Sequence, residues 1–333
     1  MIWIHLGKSK VAPYLKRSLK NFSDIFTNQP LVLLVDNDRN IEDLKIKNLE
    51  VKKIDYMDTD WQAIKDNLKH DLNFRNEFWF NSLGRFGALY KYMEMEGIDS
   101  LLHIESDVTF FPNFPIETMS KLKDVLAYPL QGDGQGIASV FHVGSRESLS
   151  HFLAFCREQV QLNSKSTDMT ILYNFFNKFP EKVLILPTLP KLASNDVEIK
   201  DRQSVASQNL DLLGGIIDAI SIGQYLFGVD PRNRRGIKKL FWEDPTHWVK
   251  PSLFRYEFVD NELFAIKDKA KIKVFSLHIH SKDSLAFSYK SLSFLLPKQF
   301  QNSLNGEKEK IVFKELSRAI YKSVMRRAGR LWN

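Results

Sequence analysis

Short apolar runs alternate with amphipathic stretches over most of this chain. The runs at 2–7 (IWIHLG), 30–37 (PLVLLVDN), 49–54 (LEVKKI), 100–105 (SLLHIE), 124–130 (DVLAYPL), 137–144 (IASVFHVG) and 182–187 (KVLILP) are β-rich and bounded by polar or turn residues. They predict strands. Between them, at 11–25, 60–69, 77–95, 146–160 and 167–178, apolar positions recur at helical spacing. Strands alternating with helices predict an α/β fold: a mostly parallel, mixed sheet flanked by helices on both faces. In the helix 77–95, Phe78, Trp79, Leu83, Phe86, Tyr90 and Met93 form one apolar stripe, which reads as core, and Gly97 is a natural stop. Arg85 lies close to that stripe. It reads either as a snorkelling surface residue or as a phosphate-facing one.

After Pro190 the pattern loosens. The polar stretch KLASNDVEIKDRQSVASQNLDLLGG predicts a long connection of the kind that forms lids or binding loops. A helix is predicted from Asp218 to Phe227, stopped by Gly228 and Pro231, then a strand over 271–282 and a C-terminal helix from Gly306 or Glu307. The expected division is an α/β domain over 1–290 and a basic amphipathic helical region over 291–333.

The 333 residues are 44% hydrophobic and 26% charged, as in ordinary globular proteins. Net charge is +7, but from Lys308 to Arg330 eight basic residues stand against two acidic, so +6 of it lies in the tail. The body lacks the basic field of a nucleic-acid binder. The tail's composition suits an anionic membrane surface or, equally, a helix docked on the protein itself. The single cysteine, Cys156, excludes an internal disulfide and any multi-cysteine zinc site. With no signal-type leader and no run near the ~20 apolar residues of a membrane span, a cytoplasmic protein is expected, peripheral at most at the inner membrane face.

Two clusters carry candidate chemistry. Glu105 and Asp107 follow an apolar run. If the extended backbone continues through Ser106, both carboxylates converge at the strand's C-terminal end, where open α/β sheets bind ligands. Their mutual repulsion is relieved by a divalent cation, for which Mg²⁺ or Mn²⁺ suits an oxygen-rich set. In LHIHSK, His278, His280 and Lys282 share strand parity and offer imidazole to a metal and ammonium to an anion.

HIESDVTFFPNF resembles the DxD segment of nucleotide-sugar glycosyltransferases of GT-A fold. FWFNSLGRFGALYKYM…LLHIESDV, DAISIGQYLFGVDPRN and SLHIHSK together resemble bacterial glycosyltransferase-like proteins of capsule or surface-polysaccharide synthesis. The resemblance spans about residues 75 to 283. It implies a GT-A-like catalytic domain in which Asp107 binds the metal and the metal grips the donor diphosphate. Glu105, where the motif has Asp, would share the metal or reach the donor ribose. His280, ahead of His278, would complete the metal shell, and Lys282 would bind diphosphate. His5, Gly7, Asp36 and Asn37 would line the nucleotide pocket, and Arg85 would face the diphosphate or the base. Asp168, at a helix start, and Asp218 are candidates for the acceptor's general base, with Gln224 nearby. The implied partners are a nucleoside diphosphate sugar and a glycan or lipid-linked acceptor. The alternatives are a metal-dependent nucleotidyl- or phosphotransferase, and a non-catalytic carbohydrate-binding protein. The glycine-rich phosphate loops of the former are missing.

Overall fold

The computed structural model describes residues 1–7, 11–36, 44–71, 73–190, 204–230, 240–267 and 269–287. Asn37 and the region 291–333, with its predicted tail helix, lie outside them. The first sheet takes β1 (Ile2–His5), β2 (Leu31–Val35), β3 (Leu49–Lys53), β4 (Leu101–Ile104), β6 (Leu126–Gly132), β7 (Gln135–Gly136), β8 (Val140–Val143) and β9 (Val183–Leu186). Its order is β3-β2-β1-β4-β8-β6-β7, with β9 on β6. The β1–β2, β1–β4, β2–β3 and β6–β9 pairings are parallel, and β8 runs antiparallel to both β4 and β6. This is the mixed α/β architecture that the alternating pattern predicts.

The second sheet contains β5 (Val108–Phe110), β10 (Gly215–Ile217), β11 (Arg255–Val259), β12 (Glu262–Lys267) and β13 (Ala270–His278). None of the first four is among the strands that the sequence reading predicts. The strand predicted over 271–282 stops at His278, and the helix predicted from Asp218 to Phe227 begins only at Ser221, after β10 and a turn.

The helices are α1 (Pro13–Ile25), α2 (Thr59–Asn67), α3 (Phe78–Glu96), α4 (Ile116–Ser120), α5 (Arg146–Leu162), α6 (Asp168–Lys178), α7 (Leu210–Leu213) and α8 (Ser221–Phe227). They cover both faces of the first sheet. Strand β2 shows the result: Leu31, Leu33 and Val35 join one apolar core with Leu15, Leu19 and Phe22 of α1, while Val32 and Leu34 join another with Leu83, Phe86 and Leu89 of α3. A strand buried on both sides reads as an unbroken apolar run, which is why PLVLLV lacks alternation. The α3 stripe is core as expected from Leu83 onward, but Phe78 is exposed. Cys156 is buried on α5.

Candidate active site

Parallel strands β1 and β4 lie side by side, so the residues that follow them sit at one edge. After β1, Gly7 adopts φ +87°, and its N–H donates to Asp36 Oδ2 at 2.7 Å. Asp36 is thereby partly engaged in holding the β1 exit. His5 ends β1 opposite Val35.

After β4 the backbone does not stay extended. Val108 N–H donates to the Glu105 carbonyl at 3.3 Å, closing a turn over residues 105–107, and β5 then leaves on the second sheet. Glu105 and Asp107 converge because of that turn, and not through strand alternation as the sequence spacing suggested. Asp107's own carbonyl accepts from Ile279 N–H at 2.7 Å, which fixes the turn against the end of β13.

His278 is the last residue of β13. Its Nδ1 lies 2.6 Å from the Ala219 carbonyl, which can only accept, so Nδ1 carries the proton. Nε2 therefore points to the carboxylates, 3.1 Å from Asp107 Oδ2 and 3.6 Å from Glu105 Oε2. One ligand atom from each of Glu105, Asp107 and His278 falls within 4.8 Å of the others. An Nε2 lone pair facing two carboxylates is repulsive unless a proton or a metal ion sits between them. Two carboxylates and one imidazole suit Mn²⁺ or Mg²⁺ better than zinc.

His280 and Lys282 do not continue the strand. The chain turns at 279–282, with Lys282 N–H bonded to the Ile279 carbonyl at 2.9 Å and Lys282 at φ +57°. His280 Nδ1 instead meets Gln224 Oε1 at 3.1 Å. Burial, aided by His278, pushes the His280 imidazole down to about 4, so it is neutral at pH 7. It stands outside the carboxylate cluster, whereas the sequence reading placed it ahead of His278. Lys282 Nζ pairs directly with Asp107. Burial pushes that ammonium down to about 7, with Glu105 opposing and Arg75 adding to the fall. The contact with Asp107 works against burial, and a buried ammonium touching a carboxylate keeps its proton.

Arg85 is neither on the surface nor free to face a phosphate. It is 8% exposed and bonds Glu105 through Nη1 and Asp168 through Nη2. Burial raises the Glu105 carboxyl, but Arg85 and His278 more than offset this and hold it at about 2. Asp168 stays raised, by burial first, against the pull of Arg85. The α6 cap is Thr167, whose side chain accepts from Thr170 N–H at 3.2 Å, so Asp168 is not the cap. Three elements, α3, β4 and α6, thus meet on one guanidinium.

Asp218 is 2% exposed and accepts from the N–H groups of Ile222 (2.9 Å), Gly223 (2.7 Å) and His278 (3.0 Å). It ties the start of α8 to the end of β13. Gly223 permits this approach, since a Cβ there would lie 2.1 Å from the His278 carbonyl oxygen. Asp218→Ala strands three buried donors at a cost of roughly 1–3 kcal/mol each if the site does not relax. Urea denaturation should show a loss of at least about 3 kcal/mol, and an unchanged midpoint would contradict this holding role.

The sequence reading missed the Arg85–Asp168 pair and the Arg75–Asp230 pair at 3.7 Å. No spacing signal links residues 83 or 155 positions apart. A cavity of about 380 Å³, lined by Tyr56, Trp61, Ile64, Tyr90, Leu153 and Arg157 among others, lies between α2, α3 and α5 and contains none of these site residues.

No family model and no curated protein matches the chain. Solved structures similar to it include a PaToxG glycosyltransferase, at 9% identity over 64% of this chain and 76% of that one, TM-score 0.38. Another is the galactosyltransferase LgtC in complex with donor and acceptor sugar analogues, at 13% identity over 62% and 84%, TM-score 0.36. A third is core-mannan synthase A (CmsA/Ktr4) from Aspergillus fumigatus in an Mn/GDP form, at 10% identity over 55% and 71%, TM-score 0.39. These likenesses are distant, and what the site can do follows from its own residues.

Proposed function

We propose that the chain is a metal-dependent glycosyltransferase that takes a sugar from a nucleoside diphosphate sugar. The observation that carries this reading is the convergence of Glu105, Asp107 and His278 Nε2, with Nδ1 held by the Ala219 carbonyl. A fixed tautomer leaves the other ring nitrogen free for a metal, as in most ligating histidines, whose remaining ring N–H is donated to a carbonyl or carboxylate. Glu105, Asp107 and His278 would hold Mn²⁺ or Mg²⁺. When bound, the ion supplies Lewis-acid stabilisation of the negative charge that grows on a leaving diphosphate.

The protein's own groups do the rest. Arg85 keeps Glu105 ionised and oriented. Lys282, now on Asp107, is positioned to move its ammonium to a diphosphate oxygen once the carboxylate is otherwise engaged, adding a second positive charge where charge develops. His5, Gly7 and Asp36 border the nucleotide at the β1 and β2 exits, a role in which Asn37 was also expected. Asp168 and Asp218 are engaged in Arg85 and in backbone donors, so their support as acceptor bases is weaker than their support as positioning residues. His278 takes the ligand role first given to His280. A glycan or lipid-linked acceptor in surface-polysaccharide synthesis fits the sequence resemblance. So does a cytoplasmic protein peripheral at the inner membrane face; among the described residues no helix is long and apolar enough to cross a membrane.

The test is a thermal-shift panel of nucleotide sugars with and without Mn²⁺. One nucleotide class should stabilise the protein, and only with metal. His278→Ala should weaken Mn²⁺ binding by tenfold or more, the size expected for loss of a ligand or its support, and His280→Ala by much less. Nucleotide shifts that ignore metal, or equal behaviour of the two variants, would reject the assignment.

A further inference from the structure

Two phenylalanines stand out at the rim of the site. Phe74 and Phe78 are 37% and 40% exposed, although Phe78 belongs to the apolar stripe of α3. Their centroids lie 6.1 Å apart. Both pack on Trp79, Phe74 in stacked geometry at 6.0 Å and Phe78 edge-on at 5.1 Å, and Trp79 also stacks on His70 at 5.2 Å. The exposed rings are therefore held from behind, and are not loose side chains on a loop.

The backbone between them is strained. Arg75, Asn76 and Glu77 take φ values of 51°, 57° and 62°, three successive left-handed residues with no glycine among them. L-residues visit that region singly, and a run of three needs support from its surroundings. The support is on hand: Lys65 pairs with Glu77 at 2.8 Å, Asn81 Nδ2 donates to the Asn76 carbonyl at 2.9 Å, and Arg75 pairs with Asp230. Strain held this way clusters at ligand sites.

The segment also borders the candidate site. A Cβ on Gly7 would lie 2.9 Å from Asn81 Nδ2 and 3.7 Å from the Asn76 carbonyl, so the turn is packed on the β1 exit. Arg75 sits 5.0 Å from the Phe74 ring and 5.9 Å from the Phe78 ring, and its charge reaches His280 and Lys282, lowering both.

We propose that Phe74 and Phe78 form a stacking platform for a pyranose ring of the acceptor. The proposal rests on the glycosyl-transfer reading above and adds where the acceptor lies. An exposed aromatic pair offers an apolar, π-rich face that complements the C–H face of a sugar. The charge over the rings among the described residues, Arg75, is paired with Asp230, so the surface suits a neutral ring and not a phosphate. The rings flank the strained turn that is packed on the β1 exit, and neither belongs to the carboxylate–histidine cluster that would hold the donor's diphosphate.

The experiment is saturation-transfer difference NMR on the full chain, with methyl glucosides, galactosides and mannosides as probes, in the presence of UDP or GDP and Mn²⁺. Thermal shift by the nucleotide is recorded on the same samples. At least one glycoside should receive saturation at its ring C–H protons. Phe74→Ala/Phe78→Ala should reduce that signal about fivefold or more and leave the nucleotide shift unchanged. Phe74→Tyr/Phe78→Tyr, which keeps both rings, should restore it. Glycoside signals absent from the wild type, or equal in the alanine variant, overturn the platform. A nucleotide shift lost together with the glycoside signal also overturns it, because the rings would then serve the base. Absence of any nucleotide shift in the wild type would sink glycosyl transfer instead, with the glycoside arm still readable.

Discussion

Arg85→Met is expected to destabilise the protein by about 3–5 kcal/mol at neutral pH, the usual result of removing one partner from a buried ion pair. The side chain is 8% exposed and serves two carboxylates at once. Its removal leaves Glu105 and Asp168 buried without their shared cation. Arg85→Lys should recover only part of the loss, because one ammonium lacks the fork that reaches both acids. The contribution of Glu105 to the pH dependence should also change sign, and come to match that of Asp168, which is already raised. In the wild type Glu105 is held at about 2, below its ordinary 4.5, so its contribution is fully present above about 4.5 and drains away as pH falls toward 2. Without Arg85, burial dominates and both carboxyls bind protons more tightly folded than unfolded. The variant should then gain stability as pH falls from 7 toward 5. Urea titrations at three pH values decide it; a loss under 1 kcal/mol, or wild-type pH behaviour, would contradict the account.

Asp107→Asn is expected to lower metal-dependent transfer by roughly 10²- to 10³-fold, by analogy with loss of one preorganised electrostatic partner. The amide is nearly isosteric with the carboxylate, but it is neutral and a poor ligand for a hard cation. The turn should survive, because Ile279 N–H bonds the Asp107 backbone carbonyl and not its side chain. Circular dichroism should therefore match the wild type while Mn²⁺-dependent nucleotide binding disappears. Full turnover by the variant would remove Asp107 from the chemistry.

Much of this was readable before the structure. The strands of the first sheet other than the two-residue β7, and the five long helices, follow directly from runs and periodicity. Glu105 and Asp107 stood out because two acids after an apolar run are costly without a cation. The local geometry was not readable, because spacing arguments assume a continuing strand and the backbone turns at 105–107 and again at 279–282. That is why His280 seemed to share a face with His278. The β11–β12 hairpin did carry a signal: Asp260 and Asn261, both with positive φ, form the two-residue turn between alternating strands. Phe78 read as core because helical periodicity cannot tell an exposed first turn of a helix from the buried turns that follow. The Arg85–Asp168 pair depends on how α3 and α6 pack, which no short-range pattern encodes.

The turn at 105–107 has a mechanical consequence. One side of it belongs to the large sheet through β4 and the other to the small sheet through β5, and His278 ends the strand that β5 pairs with. An ion gripped by those three side chains would rivet the two sheets together across their seam. Occupancy should then slow amide exchange in β5 and β13 beyond what ligation of three side chains alone would give, and should do so by mass action as cation concentration rises.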